Sequence, residues 1–191
     1  MPKSSSYIIG ICGHAGAGKD MVADLLVKKL DFIRIALADP IKKLAHEYFG
    51  IPWEELRRSD KPEKVRRLLQ HLGTDVGRVY DPDIWIRHLG RAIDNNPFER
   101  IVITDVRFPN EAEMLVKEYG ADLILIERPG NPNSNKPMMQ HDSETSIDKI
   151  PTDLFTAVVI NGENKQDEML HDLVTNIEEW VKCHDFPMNP T

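Results

Sequence analysis

The chain has 191 residues, 41% of them hydrophobic and 29% charged, which suits one globular domain with a sizeable core. A net charge of −7 disfavours broad binding to a nucleic-acid polymer or a membrane surface, and no apolar run approaches membrane-spanning length. The start of the chain lacks the apolar core of a signal peptide, and only two cysteines occur, Cys12 and Cys183, so a reducing cytoplasm is expected.

The apolar run Tyr7 to Cys12 predicts a buried strand, with Cys12 as a small core residue. A glycine-rich turn and a helix from Lys19 to Leu30 follow. Gly13, Gly18 and Lys19 stand at the G-x-x-x-x-G-K spacing of a Walker A loop, with His14, Ala15, Gly16 and Ala17 between the end glycines. That spacing wraps backbone N–H groups around phosphate oxygens, ahead of the positive end of a helix. Lys19 adds a point charge for the outer phosphates. Asp20 stands where Ser or Thr usually holds Mg²⁺, and Met21 follows it, so no hydroxyl is present at either position.

Phe32 to Leu37 predicts a second strand, broken at Ala38-Asp39-Pro40, and Ile41 to Phe49 a helix ending near Gly50. Lys61 to Val79 reads as one helix in spite of Gly73. On it Arg67, Gln70 and Thr74 stand at i, i+3, i+7 and share a side, either a solvated face or one that reads a phosphate and a base edge. Ile84 to Ile93 is the next helix, where Trp85 either stacks on a base or fills the core.

Arg100 to Thr104 is a β-branched run, hence a buried strand, with Asp105 and Arg107 at its tip. Asp105 there suits a Mg²⁺ ligand or a helix cap; Arg107 suits a bidentate phosphate clamp or a surface ion pair. Glu111 to Tyr119 is a helix and Asp122 to Glu127 a strand. Arg128 to Asp148 is polar and long for a loop, and is expected to be a functional one carrying Arg128, His141 and Glu144. The last strand is Ala157 to Ile160, then Asn161-Gly162, a closing helix from Lys165 to Lys182 and a loose tail. Strands alternating with helices predict a parallel sheet covered on both faces, with the loops after its strands converging on one edge.

These motifs together resemble one family, the bacteriophage deoxynucleoside monophosphate kinases among the nucleoside monophosphate kinase-like P-loop proteins. The resemblance rests on GHAGAGKD (Gly13 to Asp20), LADPIK (Leu37 to Lys42), RLLQHLGTD (Arg67 to Asp75), Trp85, DVR (Asp105 to Arg107), RPG (Arg128 to Gly130) and HDSE (His141 to Glu144). It implies a three-layer α/β P-loop fold in one domain, about five parallel strands, a helical acceptor-binding region near residues 38–98 and a lid near 128–148. It implies γ-phosphoryl transfer from ATP to a deoxynucleoside monophosphate, with Mg²⁺. Catalytic roles would fall to Lys19, Asp105, Arg107 and Arg128. ATP would be held by residues 13–21 with Asn161 and Gly162 beside adenine, and Mg²⁺ by Asp20 and Asp105. The acceptor would be held by Asp39, Lys42, Arg67, Gln70, Thr74, Trp85, Arg107, His141 and Glu144. A homodimer is an open option. The competing readings are a dephospho-coenzyme A or phosphomevalonate kinase-like enzyme, and a nucleotide-binding regulatory protein without phosphoryl transfer.

Overall fold

The computed structural model describes residues 6–58, 60–97, 99–131, 140–162, 172–173 and 175–179. The expected frayed start, the tail, Cys183, most of the closing helix and residues 132–139 of the predicted loop lie outside them.

Five strands form one parallel sheet: β1 (Tyr7–Cys12), β2 (Ile33–Ile35), β3 (Arg100–Val106), β4 (Asp122–Glu127) and β5 (Ala157–Ile160), in the spatial order β2-β3-β1-β4-β5. β1 is central and buried along its whole length, which is why it reads as an unbroken apolar run. β2 is shorter than its sequence suggested. It has a half-exposed edge position, so Phe32, Ala36 and Leu37 turn into the core outside the ladder. β3 runs two residues further than Thr104, so Asp105 belongs to the strand itself.

Helices cover both faces. On one side α1 (Lys19–Leu30) packs Val22, Ala23 and Leu26 against Ile9, Ile11 and Val102, joined by Leu173 and Ile177 of the helical stretch near the C-terminus. On the other side α5 (Ile84–Asp94) and α6 (Pro109–Tyr119) pack Leu89, Ile93 and Leu115 against Ile8, Ile101 and Ile103. A smaller cluster of Ala45, Leu56 and Val65 ties together α2 (Asp39–Phe49), α3 (Trp53–Arg57) and α4 (Glu63–Gln70). Among the described residues no helix is long and apolar enough to cross a membrane.

Two local differences matter for the site. The predicted single helix from Lys61 is α4 continued by a π-helical stretch, His71–Arg78, whose turns are wider than α. The predicted loop after β4 contains a short helix, α7 (Asp142–Thr145), and a 3₁₀ turn (Ile147–Lys149) anchored by buried Ile147 and Ile150.

Asp105 joins strand tips. Its two carboxylate oxygens accept the Leu37 and Ala38 N–H groups at 2.8 and 2.9 Å, fixing the turn from β2 into α2 against the end of β3. Asp105→Asn leaves one of these amides facing an NH₂ group and is expected to lower stability by about 1–3 kcal/mol. Ile103→Ala, at a fully buried position, is expected to lower it by about 2–5 kcal/mol. Denaturant unfolding measures both; wild-type midpoints would contradict these assignments.

Candidate active site

The turn after β1 is shaped by glycines. Gly13 has φ +144°, and a Cβ there would lie 2.5 Å from the Ile126 carbonyl. Gly18, at φ +108°, directly precedes α1, and a Cβ there would lie 2.6 Å from Asn161 Nδ2. The loop therefore sits against β4 and β5 as bare backbone, with the positive end of a 12-residue helix behind it. Lys19 donates to the Gly13 carbonyl and, at 2.9 Å, to the His14 carbonyl. Burial, reinforced by the Arg107 charge, pushes its ammonium down to about 8 against the pull of Glu144, Asp20 and Asp105.

A cavity of about 300 Å³ opens beside this loop at the carboxyl ends of the strands. Ala15, Gly16, Lys19 and Asp20 line one part, and Asp105, Arg107 and Phe108 follow β3 into it. The far wall comes from α2, α4, the π stretch and α5, through Ile41, Lys42, Gln70, Gly73, Thr74 and Trp85. Of the predicted site residues, Ala15, Gly16, Lys19, Asp20, Lys42, Gln70, Thr74, Trp85, Asp105, Arg107 and Glu144 all face this one cavity.

Several others do not. Arg67 is exposed and off the cavity; its neighbour Arg66 lines it instead. The wide π turns explain the change. They carry Thr74 and Arg78 round to the side of Arg66 and Gln70, so the facing set is 66, 70, 74 and 78. Ideal α periodicity pairs Gln70 and Thr74 with Arg67. Trp85 is buried, donates to the Gly73 carbonyl at 2.7 Å, and forms core and cavity wall together. Asp39 caps its own turn, accepting the Ala36 N–H at 3.0 Å and pairing with Lys42 at 3.1 Å. Asn161 is 1% exposed and donates to the Ala17 carbonyl at 2.8 Å, so it props the glycine loop from below and has no face toward the cavity. Gly13, His14, Ala17, Gly18, Met21 and Gly162 also lie off the lining.

The segment after β4 closes over the loop. Arg128 donates to the Gly16 carbonyl at 3.2 Å and Asn131 to the Ala15 carbonyl at 3.0 Å. His14 Nε2 lies 3.0 Å from Asp148, and His141 Nε2 lies 3.6 Å from Asp75 on the π stretch. His141 otherwise caps α7, its Nδ1 accepting the Ser143 N–H at 3.2 Å. Glu144 lies beneath, 1% exposed, and accepts the Ala15 N–H at 3.0 Å.

The sequence reading missed most of the basic lining. Arg34, Arg57, Arg58, Lys61, Arg66 and Arg78 join Lys19, Lys42 and Arg107, giving nine cations against the carboxylates of Asp20, Asp105, Glu111 and Glu144. The cavity is thus positive inside a chain of net charge −7. Lys61 shows the crowding: burial, with Arg66 and Lys42 close by, pushes it down to about 8. Arg78 stacks over the Phe108 ring at 3.8 Å and pairs with buried Glu111. Arg34 lies on β2 and the others on α3, the α3–α4 link, α4 and the π stretch, all without a motif; only the density of Arg and Lys between residues 57 and 67 marks Arg57, Arg58, Lys61 and Arg66 in sequence.

For a divalent metal, the donors are sparse. Asp20 is ion-paired with Arg34, Asp105 has each oxygen engaged by an amide, and no cluster of three or more His, Cys, Asp or Glu suited to a metal occurs among the described residues. This set fits Mg²⁺ carried on a ligand's phosphates and touched by one or two carboxylates through water, and does not fit a protein-built cage.

Comparison with known proteins agrees with this chemistry. Residues 46–173 match the family model for deoxynucleotide monophosphate kinase. A protein of Acanthamoeba polyphaga mimivirus, provisionally named a deoxynucleotide monophosphate kinase, is 32% identical over 82% of this chain and 89% of its own length. The deoxynucleoside-5′-monophosphate kinase of Escherichia phage T5 is 32% identical over 82% of this chain and 90% of its own. At the level of fold alone, a sugar kinase from Janibacter sp. superposes with a TM-score of 0.51 at 13% identity, covering 91% of this chain and 95% of its own. The three-layer α/β fold, the glycine loop and the positive cavity beside it are thus those of a chain that belongs to the deoxynucleotide monophosphate kinase family.

Proposed function

We propose that the protein transfers the γ-phosphoryl group of ATP to a deoxynucleoside monophosphate, giving ADP and the diphosphate. The observation that carries this reading is the pairing, in one cavity, of the glycine loop with a second cationic group. That group is Lys42, Lys61 and Arg66 across the cavity from the loop, with Arg107 between them and the loop at the tip of β3. A protein that only binds ATP has no need of the second group. Beside it, Gln70 and Thr74 offer an amide and a hydroxyl to a base or sugar, which favours a nucleotide over phosphomevalonate, and the family match favours a deoxynucleotide over dephospho-coenzyme A.

Phosphoryl transfer is mostly positioning and charge neutralisation. The loop amides and Lys19 hold the donor phosphates. Lys19 leaves the Gly13 and His14 carbonyls to reach them. Arg107 spans the two halves from the tip of β3, and Lys42, Lys61 and Arg66 take the acceptor phosphate. Trp85, backed by its bond to Gly73, walls the base side. Mg²⁺, when bound with ATP, supplies further neutralisation of the phosphate charge near Asp20 and Asp105. Arg128, which donates to the Gly16 carbonyl, and α7 cover the glycine loop and keep water from it. No side chain is required as general base, because the attacking phosphate oxygen is already anionic.

ATP and Mg²⁺ supplied with a panel of deoxynucleoside monophosphates, dephospho-coenzyme A and phosphomevalonate should yield ADP only with a deoxynucleotide. ADP formation with another acceptor alone, or none at all, would reject this reading. Arg66→Ala should raise KM for the acceptor about tenfold or more, the scale of one lost charged hydrogen bond, and Arg67→Ala less than about twofold. The reverse order would restore the α-helical face read from sequence. Proton linkage provides a third test. Phosphates favour protonated Lys19, whose ammonium in the free protein titrates at about 8. ATP affinity should therefore be flat below that pH and weaken about tenfold per unit above it, with uptake of roughly one proton. Calorimetry in buffers of different ionisation enthalpy detects the uptake; its absence would remove Lys19 as the titrating group.

A further inference from the structure

Glu144 stands between the two halves of the cavity. One carboxylate oxygen accepts the Ala15 N–H of the glycine loop at 3.0 Å; the other pairs with Arg107 Nη1. The Ser143 carbonyl and hydroxyl meet the same Nη1 at 3.3 and 3.5 Å. Among the described residues, Nε and Nη2 of Arg107 make no hydrogen bond, so the edge that grips a phosphate bidentately is left open. Glu144 is 1% exposed, and the chain just beyond it is pinned by Ile147 and Ile150, each 4% exposed. Such a carboxylate is fixed in place, unlike one on a swinging tip.

We infer that Glu144 is a positioning residue that couples the donor loop to Arg107, holding one end of the guanidinium so that its open edge faces the phosphates. This rests on the proposed kinase reading and changes the part expected for Glu144 from acceptor contact to alignment of the arginine. The alternative for the same contacts is a phosphate surrogate that nucleotide must displace. The two differ in sign. Loss of a positioning carboxylate slows the reaction, whereas loss of a surrogate tightens ATP binding.

The test is a double-mutant cycle of Glu144→Gln and Arg107→Ala. Gln keeps an oxygen for the Ala15 N–H and replaces the charged oxygen that holds Arg107 with an NH₂ group that cannot accept from it. The cycle is read on kcat with the best deoxynucleotide and, independently of any acceptor, on the Kd of a non-hydrolysable ATP analogue. E144Q should lower kcat about 10²-fold, the scale of losing one charge-stabilising donor, and weaken the analogue severalfold. Both effects should disappear in the Arg107→Ala background. Additive effects in both readouts would assign Glu144 a purely structural role and overturn the inference, as would tighter analogue binding with kcat intact. If the wild-type protein phosphorylates no deoxynucleotide, the kinase reading fails, and the analogue cycle alone still decides whether Glu144 acts through Arg107.

Discussion

Concentrating positive charge in a partly enclosed cavity is the constraint on which the rest of the structure depends. Cations crowded together repel, and burial removes the water that would screen them. Three acids at the ends of the sheet answer this. Asp105 gathers the amides of Leu37 and Ala38. Glu111 accepts the Arg107 and Phe108 N–H groups at 2.7 and 3.0 Å and pairs with Arg78. Glu144 takes the Ala15 N–H and Arg107. Glu111 and Glu144 bind backbone as well as charge, so the same contacts that balance the cations also set the loops, while Asp105 holds backbone alone. Glu111 shows the strain of this arrangement: burial pushes its carboxyl up to about 7 although Arg78 and two amides pull the other way.

The sheet gives those acids their places. Parallel strands all end at one edge, and β1 lies between β3 and β4. The glycine loop after β1 therefore has Arg107 on one side and Arg128 on the other. α2 to α5 and the π stretch, all between β2 and β3 in the chain, form the wall opposite the loop. A two-substrate site needs donor and acceptor phosphates brought together between fixed charges. Here the sheet carries the glycine loop and a helical layer faces it.

Much of this was legible in the residues. β1 and β4 fall where unbroken apolar runs place them, because strands in the middle of a parallel sheet leave little ambiguity, and β5, an edge strand with Val158 and Ile160 exposed, falls where its β-branched run places it. The glycine loop was legible because only bare backbone tolerates the approach of Ile126 and Asn161 at Gly13 and Gly18. The helix face was misjudged by one residue, Arg67 for Arg66, because sequence periodicity assumes α geometry and the π stretch departs from it. Asn161, expected beside adenine, donates to the Ala17 carbonyl of the glycine loop, a contact that depends on β5 lying next to β4.

Sequence alone determined the alternation of strands and helices, the glycine-rich turn between β1 and α1, and the presence of an acid and an arginine at the tip of β3. These are local properties, set by hydrophobic period, glycine spacing and strand order along the chain. Only the tertiary structure decided which cations share the cavity, which oxygens of Asp105 are already engaged, and that Glu144 joins Ala15 to Arg107 across 129 and 37 residues. Electrostatic roles depend on what lies within a few ångströms in space, and parallel crossovers bring together residues that the chain keeps far apart.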